Sequence, residues 1–116
     1  MDMLNEIIHL ITEYDKAYDE DGFEIGSQKH VVECFADIKS TTYKEYYEAS
    51  RNDEQVTDIF VVDERDYQLS MYVDPAGKKI RPSLVEYDKQ LYKIVRRYRN
   101  NQKGNYTIEL TCSEVE

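Results

Sequence analysis

"KQLYKIVRRYRNNQKGNYTIELTC", residues 89–112, decides the fold. In its second half Tyr106, Ile108, Leu110 and Cys112 fall on one face, while Thr107, Glu109, Thr111 and Ser113 fall on the other. That two-residue period belongs to a half-buried strand. The first half is rich in β-branched and aromatic residues, and "NNQKGN" (100–105) between the halves carries a glycine suited to positive φ. The expectation is a β-hairpin over 90–112.

Working outward, "VVECFADIK" (31–39) alternates with Val32, Cys34, Ala36 and Ile38 on one side, and "VTDIFVVD" (56–63) is a β-branched run that suits burial on both faces. "EIIHLITEY" (6–14) is ambiguous, because with the preceding Leu4 its Ile7, Ile8 and Ile11 also fit a helical stripe. The Asp21-Gly22 turn signal that follows favours a strand that returns as another. Residues 64–88 hold "VDPAGKKIRP" and both prolines, and read as a long, partly structured connection with a short strand near "PSLVEY".

Between the second and third expected strands lies "KSTTYKEYYEASRND" (39–53), with three of the chain's eleven tyrosines in five positions. Thr42 followed three residues later by Glu45 is a capping-box pattern, so a helix is expected to begin there. Tyr43, Tyr46, Tyr47 and Ser50 share one face of it, opposite Lys44, Glu45, Glu48 and Asn52. That tyrosine face suits either the chain's own core or a neighbouring copy. The expected architecture is a single domain, 1–116, mainly β: a small antiparallel β-barrel of five or six strands with one short helix inserted between strands two and three.

Composition narrows the function. A net charge of −9 and a pI near 4.7 argue against a protein that coats nucleic acid. The N-terminal "MDMLNEIIHL" starts acidic and its apolar run is broken by Glu6 and His9, so neither a signal peptide nor a membrane span is expected. Cys34 and Cys112 sit far apart without CxxC spacing, which suits buried thiols in a reducing compartment; sequence alone leaves a disulfide between them open. Charge is also uneven. Residues 1–74 carry 19 acids and 6 bases, residues 75–116 only 5 acids and 9 bases. The two parts attract, either within one fold or between copies arranged head to tail.

Sites for chemistry are sparse. His9 and His30 are the only histidines, and no nucleophile motif, zinc cluster, P-loop or dinucleotide glycine run is present. "YDEDGFE" (18–24) looks like a calcium loop, but the EF-hand pattern would put Ala17 at its first ligand position and Gln28 at its twelfth, so a solvated turn is the better reading. No enzyme, cofactor or metal is expected. Arg96, Arg97, Arg99 and Lys103, interleaved with Tyr98 near the hairpin tip, suit either a nucleic-acid backbone or pairing with the acidic part of the chain, and the net charge favours the second.

The order of these features resembles the head-tail adaptor, or head-closure (stopper), proteins of tailed bacteriophages and prophages. The likeness is carried by the first strand ending at Asp21-Gly22, then "VVECFADIK", the "S-x-x-Y-K-E-Y-Y-E-A" segment, "VTDIFVV", and a closing hairpin that contains Tyr92 and Ile94. Residues 64–88 are longer than the family's short link. The resemblance implies a non-enzymatic β-barrel that forms a ring of its own copies against a portal or adaptor ring, closes the packaged head and offers a surface to tail-completion proteins. It places the protein in the virion, and in the host cytoplasm during assembly, with transient contact to DNA in the channel and none to membrane. It also implies that residues 40–55, with Tyr43, Glu45, Tyr46, Tyr47 and Arg51, form the assembly or channel segment. From the charge split the free protein is expected to be monomeric or weakly associating and to form rings only on a portal template. The alternative is a small cytosolic β-barrel binding module that contacts nucleic acid or a protein through Arg96, Arg97 and Arg99.

Overall fold

The computed structural model describes residues 6–40, 58–102 and 104–115. The elements in order are β1 (Glu6–Tyr18), β2 (Glu24–Ser40), β3 (Asp58–Asp63), α1 (Glu64–Ser70), β4 (Tyr72–Val73), β5 (Lys79–Ile80), β6 (Leu84–Tyr87), β7 (Gln90–Gln102) and β8 (Asn105–Glu114). Six strands form one antiparallel sheet in the order β1-β2-β3-β8-β7-β6, and β6 pairs back onto β1, so the ladder closes on itself. β4 and β5 form a separate two-stranded hairpin.

Alternation sends one side of each strand inward. Ile8 and Leu10 of β1, Cys34 and Ala36 of β2, Phe60 and Val62 of β3, and Leu110 and Cys112 of β8 meet in one buried cluster. Phe60 is its centre: fully buried, it meets Tyr92 edge-on at 5.1 Å and Tyr87 at 5.8 Å. The mainly-β class, the expected strands and the 90–112 hairpin are thus present in the described residues.

The helix expected over 40–55 lies outside the described residues, apart from Ser40, which ends β2. The helix that is described, α1, stands between β3 and β4 rather than between β2 and β3, in the stretch expected to be a long, partly structured connection, whose expected short strand near "PSLVEY" is β6. Its cause is local. The Asp63 carboxylate caps it, accepting from the Arg65 N–H at 2.8 Å, while the Arg65 guanidinium folds back onto both carboxylate oxygens at 3.2 and 3.3 Å. The Arg65 hydrogen bond holds the Asp63 carboxyl below its usual range.

α1 touches β1, β2, β3 and β8 and sends Tyr67 into the core, where its hydroxyl has no hydrogen-bond partner among the described residues. A buried bond ties the helix end to β1: the Thr12 hydroxyl donates to the Ser70 carbonyl at 2.8 Å. Thr12→Val keeps the shape but orphans that carbonyl, and is expected to lower stability by about 1–3 kcal/mol in urea titrations. Thr12→Ser, which retains the donor, should recover most of the loss.

Residues 64–88 also contain a turn that repeats another one. At Asp74 the carboxylate accepts from the N–H groups of Ala76 and Lys78, the Asp74 N–H donates to the Lys78 carbonyl, and Gly77 takes φ 87°. At Asp19 the carboxylate accepts from Asp21 and Phe23, the Asp19 N–H donates to the Phe23 carbonyl, and Gly22 takes φ 85°. The organiser of the first turn is therefore Asp19, three residues before the glycine, and not the Asp21-Gly22 pair. Both are Asp-x-x-Gly turns in which the carboxylate replaces missing backbone partners and glycine supplies the left-handed residue.

Candidate functional site

Two surfaces carry the residues of interest: the basic strand β7 with its partner β8, and the far end of the β1–β2 pair. On β7 the register runs regularly from Tyr92↔Glu114 to Ile94↔Cys112, then skips Val95, and resumes at Arg96↔Thr111. This bulge inverts the alternation. Before it Tyr92 and Ile94 point inward. After it Arg97 and Arg99 share a side with the buried Leu110 and Ile108, while Arg96 and Tyr98 share the outer side with Thr111 and Glu109.

Each arginine is engaged by its own chain. Arg97 donates to the Pro82 carbonyl. Arg99 makes a two-pronged contact with Glu64 at 2.7 and 3.2 Å and lies over the Tyr106 ring at 3.9 Å. This salt bridge joins the basic C-terminal part to the acidic part, the pairing inside one fold that the charge split allowed. Arg96 also has an interaction partner. Lys103 lies outside the described residues, as do Tyr43, Glu45, Tyr46, Tyr47 and Arg51.

A groove of about 350 Å³ is lined by Arg96 and Tyr98 of β7, Glu109 and Thr111 of β8 and Ile59 of β3, all on the outer side, together with Arg97, which faces the other side. Glu109 is occupied by Lys39 at 2.7 Å. Ile59 is buried although it lies on this outer side.

The second surface was not picked out from sequence. Beyond Ile11, β1 pairs only with β2, and before Ala36, β2 pairs only with β1, among the described residues. The two strands leave the closed sheet as an arm about 23 Å long, at roughly 3.3 Å for each of the seven residues 12–18 of β1. Its base is anchored: Tyr14 stacks on Tyr72 of β4 at 3.7 Å, and the Glu13 carboxylate accepts from Ser27 and Ser83. From Asp15 to Gly26 every residue is exposed, including Tyr18, Phe23 at 70% and Ile25 at 68%. The only sequence signal was three large apolar residues among the acids of 15–26, a pattern that alternation reads as a half-buried strand.

Cys34 and Cys112 are both buried and unpaired. Burial pushes each thiol up to about 12, aided at Cys34 by Asp66 and Glu33 and at Cys112 by Asp58, with Arg97 opposing. Neither is poised as a nucleophile. No group of three or more His, Cys, Asp or Glu side chains suited to a metal ion occurs among the described residues, and no described helix is long and apolar enough to cross a membrane. No protein-family model matches the chain, and no curated protein matches it significantly.

Proposed function

We propose that the chain is a structural, non-enzymatic virion protein of a tailed phage or prophage: a small β-barrel that joins copies of itself and a portal or adaptor ring to close the packaged head and receive the tail. The observation that carries this reading is the arm. A closed sheet satisfies its own strand edges, yet this one extends two strands past closure and displays Tyr18, Phe23 and Ile25 to solvent. An apolar surface held out on an ordered hairpin suits a partner rather than the fold. The engagement of Arg97 and Arg99 within the chain favours assembly over the alternative of a binding module for nucleic acid.

Inactivating the gene in a phage that carries it tests the proposal. Heads that package DNA but lose it, together with free tails, are the expected result, and wild-type particle yield would overturn it. The purified protein is expected to leave a duplex DNA probe unshifted at micromolar concentration and physiological salt. A salt-dependent shift would favour the binding module instead.

A further inference from the structure

We propose that the bare edge of β2 pairs with the same edge in a second copy, antiparallel, about a two-fold axis at Val31. The inference goes beyond the virion reading and does not rest on it. The closed sheet pairs its own edges. Past closure, the free edge of β1 is interrupted between Tyr14 and Ala17, where Asp15 takes φ 51°, and is backed at its base by Tyr72 and the Ser70 carbonyl. β2 differs. From Gln28 to Ala36 its residues pair one for one with β1, without a bulge or a proline, and among the described residues its other edge is bare until β3 joins at Ala36. At the far end the register skips Ile25, so the regular bare edge is Gly26–Phe35, ten residues.

Charge chooses the partner and the register. Side chains directly opposite in a sheet share a face, so a two-fold pairing of β2 with itself must centre on a residue. Within Gly26–Phe35 only His30 and Val31 can centre a pairing nine residues long. Centring on His30 sets Lys29 against Val31 and Glu33 against Ser27. Centring on Val31 sets Lys29 of each copy opposite Glu33 of the other, on both sides of a Val31–Val31 contact. All three side chains lie on the outer side and are exposed; the Glu33 side chain is 65% exposed, with its Oε2 3.3 Å from His9 of its own chain. A lone lysine on an edge repels an incoming strand. Matched by a glutamate across the axis, it selects the strand that carries that glutamate, which is β2 itself. Such a contact is isologous and closes with two copies.

Charge exchange in full-length chains tests the pairing. Lys29→Glu sets acid against acid across the axis, and Glu33→Lys sets base against base. Each variant alone is expected to dimerise about tenfold more weakly than the unchanged chain in sedimentation velocity, and an equimolar mixture of the two to recover the affinity. A mixture that associates no better than its components would overturn the proposal. The register has its own readout under mild oxidant, where the buried native thiols do not compete. Val31→Cys places two thiols opposite each other with Cβ atoms about 5 Å apart, whereas Phe35→Cys, equally exposed on the same side, leaves them about 26 Å apart, eight residues at roughly 3.3 Å each. The Val31→Cys dimer should form at least about tenfold faster. Equal rates would overturn the axis at Val31.

Discussion

Phe60→Ala is expected to cost about 3–5 kcal/mol, because a fully buried aromatic ring leaves both its transfer energy and a cavity behind. The loss should sit at the upper end, since the substitution also removes two edge-to-face contacts, with Tyr87 and Tyr92. Against a total stability of roughly 5–15 kcal/mol for a domain of this size, the variant should be close to unfolding at room temperature. Thermal melts followed by near-ultraviolet circular dichroism would report it through the tyrosines. A loss below about 1 kcal/mol would show that the core is not centred on this ring. Phe35→Ala is the matched control, because Phe35 is 55% exposed on the outer side of β2 and its loss should be small.

The second large effect concerns the thiols. A rise from 9.0 to about 12 leaves the native thiolate about a thousandfold scarcer than in the unfolded chain at neutral to mildly alkaline pH. Labelling of Cys34 and Cys112 by a thiol-specific reagent should accordingly be slower by about that factor in the native protein than in urea. Fast labelling of either residue without denaturant would contradict the closed core. Stability follows the same shift. A group whose folded pKa is raised contributes fully below its unfolded value and loses that contribution as pH climbs toward the folded one. Both cysteines, and Tyr92, which burial also pushes up to about 12, should therefore leave stability flat below about pH 9 and falling from there toward 12.

Much of the closed sheet was legible because its longest strands announce themselves locally. In β8 the alternation of Ile108, Leu110 and Cys112 against Thr107, Glu109 and Thr111 needs no knowledge of the partner strand, and the glycine before it marks the return. In residues 64–88 the strand expected near "PSLVEY" is present as β6, but α1, β4 and β5 escaped the same method because they have seven, two and two residues, too few for a period to establish itself. Their signals were single side chains, Asp63 as a cap and Asp74 as a turn organiser, which gain meaning only when the backbone groups they satisfy are known. On the candidate site, the basic strand was visible but its facing was not. Counting alternation onward from Ile94 puts Arg97 and Arg99 outside, and Val95, the unpaired residue, reverses that. The arm was hidden for a different reason. Nothing in residues 6–30 distinguishes a strand that finds a second neighbour from one that outruns it.

The closure of the sheet has a consequence for how the molecule fails. β1 and β6 meet through only three residue pairs, His9↔Glu86, Leu10↔Val85 and Ile11↔Leu84, with one added bond from the Ser83 N–H to the Ile11 carbonyl. His9 bridges this junction on the outside, within 3.5 Å of Glu86 and 3.3 Å of Glu33. The partners are distant in sequence, so this is the costliest ladder in loop entropy and the shortest in bonds. It acts as a clasp, and amide exchange should find it the first of the six junctions to open. Once open, the six-strand sheet has two bare edges along this junction, each a template for another chain. Protection of the closed part of the sheet against edge-to-edge aggregation is thus concentrated in a span three residues long.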